Sequence, residues 1–488
     1  MPEPLVGESR QPLARLDRAG SPLNALRAAG VSLAPAGGAE LSSRLRAAIV
    51  EGRLADGAKL PSARVLAATL GLSRNAVAAC YASLADEHLI TARHGSGTYV
   101  AQPADAKARG RPHVRADVEW LRGAPPGVPV APGTSDIDLR LRAGTIAPIA
   151  TDAWRRAWRH ATATVAQTYG DPQGPREVRE AIAEHVRSTR GVACVAADVV
   201  VTSGASDALA LLLRATMSPS DVLAAENPGY RGVTRLAAVH AIPLLALPVD
   251  ANGARVRVLA AADPQPLAVH VTPSHQFPTG VELSPERRGD LLAWAERRGA
   301  LVIENDYDGE FRFDGEVAPP LAAVDTSGAV CLVGTFSRLL TPSLRVGYAV
   351  ATPALVERVA ALKRMLDEHA SLPAQHAVAQ LIRSGELGRH LRRVRRLATY
   401  KRALVREALG AIDGVALHGV AGGLHVLIDG PERPAEIAAR LRARGVHLDL
   451  LADHCWAPAD HDGLLLDYGR VEPSALERAL TLIAAELG

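Results

Sequence analysis

Lysine is almost missing from this chain. Only Lys59, Lys107, Lys363 and Lys401 occur among 55 lysine and arginine residues, so chemistry that needs a primary amine has few side chains to draw on. Cysteine is equally sparse. Cys80, Cys194, Cys331 and Cys455 show neither metal-site spacing nor a disulfide framework, which points to a reducing compartment, the cytoplasm. Nothing in the sequence resembles a signal peptide and it has no run of about 18 apolar residues, so no membrane partner is expected. A net charge of +3 is too small to announce nucleic-acid binding by itself. That assignment has to rest on a motif.

What is present is enough for several cores. With 488 residues, 48% hydrophobic and 22% charged, the chain has the composition of an ordinary globular protein of two or three lobes. Residues 1–38 mix Pro, Gly, Ala and Arg without a sustained period and read as a flexible N-terminal arm. Residues 39–101 read as a small helical domain closed by a Gly-rich hairpin. Residues 102–133 carry Pro and Gly clusters without a hydrophobic repeat and read as a linker. From residue 134 to 488, apolar strand-like runs (DVVVTSG, DVLAAEN, LAVHVTP, ALVIEND, AVCLVGT, RVGYAVA) alternate with helical patterns such as ASDALALLLRAT. This alternation predicts an α/β body with a largely parallel sheet, its large lobe at about 165–385. A long helix near 352–384 leads to a small α+β lobe at about 386–488.

In the first domain, Ser62 is placed to cap a helix over 63–70, Gly71 to permit a tight turn, and Ser73 to cap a second helix. Val77, Tyr81 and Leu84 share one face of that second helix, while Arg74 and Asn75 stand at its opposite N-terminal corner. First-turn positions of this kind reach base edges and phosphates in a major groove. TARHGSGTYV then forms a short hairpin, a wing whose glycines allow close approach to a sugar-phosphate backbone.

In the body, VTSGASDAL places small residues between a strand and a helix. The backbone N–H groups of Gly204, Ala205 and Ser206 at that helix start suit a phosphate. Arg345 and Ser337 are candidates for a charged clamp and a hydroxyl on the same anion. Tyr230, in ENPGYRG, offers a flat ring to a planar ligand.

Residues 60–100 resemble the GntR family of winged-helix regulators, through LPS-x-R-x-LA-x-x-LG-x-SR followed by R-x-GSGT-x-V. The resemblance implies a double-stranded DNA operator contacted by Ser62, Arg64, Ser73, Arg74 and Asn75, with His94, Gly95 and Gly97 in the wing. Ala76 replaces a usual threonine, and His88 stands where glycine is common. Residues 134–488 resemble fold-type I pyridoxal-phosphate (PLP) enzymes of the aminotransferase class, through YGDPQGPREVREAIA, TSGASDAL, ENPGY, VTPSHQFPTG, IENDYDGEF and GTFSRLLTPSLRVGY. The combination resembles the MocR subfamily. It implies a homodimeric transcription regulator whose aminotransferase-like body dimerises and senses a small effector, a phosphorylated pyridine or an amino acid. Tyr169 would approach the phosphate of the neighbouring subunit, and Tyr307 would face the ring hydroxyl of PLP.

Three departures weaken the implied chemistry. Arg338 stands where the family has its reactive lysine, and a delocalised guanidinium is too poor a nucleophile to form an internal aldimine with PLP. If Tyr307 faces the pocket, strand alternation turns Asn305 inward and Asp306 outward, leaving an amide where a carboxylate would protonate the pyridine nitrogen. The strand around Leu464, Leu465 and Leu466 lacks the arginine that aminotransferases use to fork a substrate carboxylate, with Arg470 several residues on. The expectation is therefore a regulator with no catalytic residue and no metal, binding PLP non-covalently at most. Arg338 is either a new anion contact or a structural ion-pair partner. His275 reads as a structural hydrogen bonder. The alternatives are a PLP-dependent aminotransferase or PLP-responsive regulator using another amine such as Lys363, and a ligand-blind dimerisation scaffold.

Overall fold

Side-chain caps and glycines set the helices of the N-terminal unit. In the computed structural model, α1 (Pro22–Ala28), α2 (Gly38–Val50), α3 (Ala63–Leu70) and α4 (Arg74–Asp86) precede a hairpin of β1 (Ile90–Arg93) and β2 (Gly97–Val100). The structure describes residues 21–35, 37–93, 95–101, 136–141, 147–163, 166, 168–313, 318–458 and 462–488. Ser62 Oγ accepts from the Val65 amide at 3.3 Å and Ser73 Oγ from the Ala76 amide at 3.1 Å, so both predicted caps form. Gly71, at φ 68°, ends α3 in the left-handed region, and Leu66, Leu70, Val77 and Leu84 are buried between the helices.

The flexible arm expected over residues 1–38 needs correction. From Ser21 onward the chain is structured: Ser21 caps α1, Pro22 opens it, and Leu23 and Leu26 are buried in the core with Leu41 and Leu45. A seven-residue helix shows too little periodicity to be legible on its own. Residues 1–20, His94 and the expected linker at 102–133 lie outside the described residues.

The chain divides into two compact units, residues 1–128 and 129–488. In the second, eight strands form one sheet in the order 199–202, 347–350, 330–335, 301–305, 268–271, 223–227, 244–250, 253–254. Strand 347–350 runs antiparallel to both its neighbours and 253–254 to its single one, while the other pairs are parallel. Alternate residues serve opposite faces. Leu223, Ala225 and Ile303 pack against the helix Ala205–Thr216, whereas Ala224 and Val302 pack with Leu291 and Trp294 of the helix Pro285–Arg298. Strands covered on both faces are apolar along most of their length, with Glu226 and Asn227, and Glu304 and Asn305, at the carboxyl ends of two of them.

A smaller antiparallel sheet of 416–418, 425–429, 464–467 and 449–450 forms the C-terminal lobe. The single helix predicted near 352–384 is two, Pro353–Leu366 and Leu372–Arg383. Glu368 adopts φ 60° between them, and Pro373, which lacks an amide hydrogen, falls in the first turn of the second.

Candidate functional site

Loops at the carboxyl ends of the parallel strands enclose a cavity of about 240 Å³. This is where an open α/β sheet offers room for a ligand. At one end stand Ala205, Ser206, Ser337 and Arg345. Gly204 caps the helix Ala205–Thr216 at φ 100°, and a Cβ there would lie 3.0 Å from the Arg345 guanidinium, so only glycine suits this turn. Arg345 itself adopts φ 52° after the short turn Pro342–Leu344, which brings its exposed guanidinium over the helix start. Amide dipoles and one guanidinium thus converge on a space suited to an anion.

The other predicted pocket residues, Tyr230, Asn305, Tyr307 and Arg338, line the same cavity. The Tyr230 hydroxyl lies 3.3 Å from Ser206 Oγ, and its ring stacks on His270 and meets Phe277 edge-on. Asn305 is turned inward. Its Oδ1 is buried without a partner, and its Nδ2 lies 3.4 Å from His270 Nε2. Burial pushes His270 down to about 4, so that ring is neutral. Asp306 is turned away and forms a buried pair with Arg190, which also holds Glu310 at 2.6 Å. The alternation inferred along IENDYDG is therefore the one seen.

Tyr307 lines the cavity with its hydroxyl already engaged. Its hydroxyl donates to the His275 carbonyl at 3.0 Å and lies 3.0 Å from His275 Nδ1, so its one proton is committed to the protein. Toward a ligand it can only accept. Tyr169 is 78% exposed, sits edge-on to His369, and does not line the cavity of its own chain.

Arg338 is only 8% exposed. Its guanidinium carbon lies 5.7 Å from the centre of the Tyr307 ring, and Nη1 lies 3.6 Å from Asp467 Oδ2. Burial works against its charge, but Asp467 and Asp308 outweigh that and hold its pKa above the ordinary arginine value. Burial raises the Asp467 carboxyl in turn, with Arg338 opposing. Arg470 turns elsewhere, donating to the Asp138 and Arg140 carbonyls. None of the lysines described lines the cavity. Lys363 is buried against Asp367 at 3.1 Å, and Lys401 donates to the Gly469 carbonyl at 2.9 Å.

Sequence reasoning missed Phe277, Asp308, His425 and Asp467. The first two sit beside motifs that were noticed, but His425 and Asp467, which stand behind the cavity wall against His275 and Arg338, come from adjacent strands of the small lobe, and nothing in their local sequence marks them as its neighbours. Although no metal ligand was named from sequence, His275, Asp308 and His425 bring ligand atoms within 4.8 Å of one another. Arg338 stands beside the same carboxylate and already supplies a positive charge there.

In the N-terminal unit, Arg64, Arg74 and Asn75 are exposed beside the start of α3 and of α4. Gly95 and Gly97, at φ 71° and 121°, turn the hairpin. The capping bonds use Ser62 and Ser73 as acceptors, leaving each hydroxyl free to donate. Lys59 and Arg93, absent from the predicted set, flank the Tyr99 ring at 5.6 and 4.9 Å from its centre. They give the wing two cations.

Comparison with known proteins agrees with both units. Residues 38–100 match the model for bacterial regulatory proteins of the gntR family, and residues 139–452 match aminotransferase class I and II. The chain is 33% identical to the HTH-type pyridoxine biosynthesis transcriptional regulator PdxR of Corynebacterium glutamicum, over 91% of this chain and 94% of that one. It is 32% identical to the probable rhizopine catabolism regulatory protein MocR of Rhizobium meliloti, over 90% and 92%. Among solved structures, kynurenine aminotransferase of Pyrococcus horikoshii superposes with a TM-score of 0.67 at 23% identity, covering 72% of this chain and 91% of that one. LysN of Thermus thermophilus, an α-aminoadipate aminotransferase complexed with N-(5'-phosphopyridoxyl)-L-leucine, gives 0.65 at 22%, covering 72% and 92%. At these identities the two structures speak for the fold alone.

Proposed function

This chain belongs to the MocR-type transcription regulators, in which a gntR-family DNA-binding head is joined to an aminotransferase class I and II body, and we propose that this body senses a phosphorylated pyridine without reacting with it. The observation that carries the proposal is Arg338. It occupies the cavity wall, paired with Asp467, and no described lysine shares the cavity.

PLP, when bound, supplies an aldehyde and a ring that accepts electron density. The residues present fit its phosphate and its ring. Gly204, Ala205, Ser206 and Arg345 would hold the phosphate; Tyr230 and Phe277 would flank the ring; Asn305, whose Oδ1 is buried and unpartnered, would face the ring nitrogen. The same residues do not fit a covalent link. Arg338 keeps its proton and its charge, because two carboxylates hold them there. Asn305 is no acid and cannot hold the ring nitrogen charged. The site therefore binds and orients, and among the described residues no group is placed to transfer an amino group.

Two such bodies would pair, with Tyr169, exposed on its own chain, reaching the phosphate end of the neighbouring site. Arg64, Arg74 and Asn75 would read an operator half-site, with Gly95 and Gly97 letting the wing approach the backbone. A dimer presenting two heads matches an operator of two half-sites. Such a protein works where DNA is, in the cytoplasm.

Native mass spectrometry of the intact protein titrated with PLP tests this reading. The expected result is a dimer carrying ligand that is lost on denaturation, even after borohydride reduction. An adduct that survives reduction and denaturation would show that a lysine reacts and would overturn the proposal.

A further inference from the structure

The cavity is electrically lopsided. At the phosphate end, the helix start at Gly204–Ser206 and the exposed guanidinium of Arg345 face open space. At the opposite end, one guanidinium faces two buried carboxylates. Asp467 is 0% exposed and Asp308 is 2% exposed, and each has an Oδ2 with no hydrogen-bond partner. Arg338 is the only cation among the described residues lining this end, and its charge is already matched by Asp467 at 3.6 Å. His275 Nδ1 lies 3.3 Å from Asp308 Oδ2, but its hydrogen bond is to the Tyr307 hydroxyl at 3.0 Å. His425 is neutral, because burial holds its pKa well below the ordinary value and His275 and Arg338 add to the effect.

Resting on the reading that this is a phosphopyridine site, we infer that it selects the bare phosphorylated pyridine, or an amine derivative of it, and rejects any form carrying an amino-acid carboxylate. A carboxylate at the inner end would have to leave water and find a cation. The only cation within reach among the described residues, Arg338, already has its charge balanced by Asp467, and two like charges stand behind it. Selection here works through a repulsive element, the Asp467–Asp308 pair, as much as through an attractive one. The regulator then reports the level of the phosphorylated ring itself, independent of which amino acids are present.

Calorimetric titration of the full-length protein with three probes decides the matter. These are pyridoxamine 5'-phosphate, N-(5'-phosphopyridoxyl)-L-leucine, and the matching adduct of isopentylamine, which keeps the side chain of leucine but lacks its carboxylate. The isopentylamine adduct is expected to bind at least about tenfold more tightly than the leucine adduct. In Asp467→Asn, which frees Arg338, that gap should close. Equal or tighter binding of the leucine adduct to the wild-type protein overturns the inference while leaving the phosphopyridine site standing. If none of the three probes binds, the site reading itself fails and the inference falls with it. The wild-type comparison stands even if the variant does not fold.

Discussion

Across the cavity wall, Arg338 Nη1 faces Asp467 Oδ2 at 3.6 Å, and each of these two buried atoms has no hydrogen-bond partner among the described residues. The two charges are close enough to attract but too far apart for a hydrogen bond. Asp467 holds its other oxygen on the Gly469 amide at 2.8 Å, which fixes the carboxylate in place. A charge held this way governs any side chain placed at position 338.

Arg338→Lys alone should therefore restore little covalent capture of PLP. A lysine facing Asp467 would be kept protonated, and only the free amine attacks an aldehyde. Arg338→Lys with Asp467→Asn should capture substantially more. Denaturing mass spectrometry after borohydride reduction measures both. Equal capture by the single and double variants would show that Asp467 does not control the amine.

Arg74→Ala should weaken operator binding by about 1–3 kcal/mol and relax specificity at one position. Arg93→Ala, in the wing, should weaken binding across all sequences and reduce the salt slope by about 1. Fluorescence anisotropy at several salt concentrations, on an operator selected from a random DNA pool, separates the two. If the salt slope moves for Arg74→Ala and specificity for Arg93→Ala, the groove assignments are reversed.

His88→Gly should stabilise the head. His88 follows α4 at φ 57°, its amide bonding to the Ala85 carbonyl while Leu89 bonds back to Leu84, a helix-ending turn in which glycine avoids a steric cost of about 1 kcal/mol. The melting transition of the head should rise by a few degrees, roughly 4–8 °C for each kcal/mol retained in a domain of this size. His88→Ala keeps a Cβ in the same conformation and should not share the gain. A similar rise in both variants would point to the imidazole rather than the backbone.

Glu226→Gln should stabilise the body at alkaline pH. Burial pushes Glu226 up to about 7, partly offset by hydrogen bonds from Thr272 and Gln276, against an ordinary value of 4.5. Between those two values the unfolded chain releases a proton that the folded chain keeps, so stability falls as pH rises through the window and levels off above it. Glutamine removes that cost. The variant should gain up to about 3 kcal/mol at pH 8 and nothing below the ordinary carboxylate pKa. Urea denaturation across this pH range tests it, and a gain independent of pH would argue against titration of Glu226.

The local features of this protein were legible along the chain. Ser62, Ser73 and Gly71 specify helix boundaries through bonds spanning two to four residues, and the helix Ala205–Thr216 lies where its sequence period placed it. The inward turn of Asn305 followed from the two-residue alternation of a strand. The helix at Pro22–Ala28 was missed because seven residues carry too little period, whereas the break between Pro353–Leu366 and Leu372–Arg383 falls at a polar stretch, 367–371, followed by Pro373, a signal the sequence did offer.

By itself, the sequence determined the two-part architecture, the small-residue turn before the helix Ala205–Thr216 and the presence of a guanidinium at position 338, all properties of contiguous residues or of residue identity. Only the tertiary structure decided what Arg338 does. Its partner Asp467 lies in the small lobe, on a strand whose run Leu464–Leu466 reads as simple core, and the Tyr307 hydroxyl is claimed by a loop thirty-two positions away. Burial makes such long-range pairs matter: once water is excluded, a charge takes its meaning from whichever group the fold sets beside it, and sequence separation has no bearing on that.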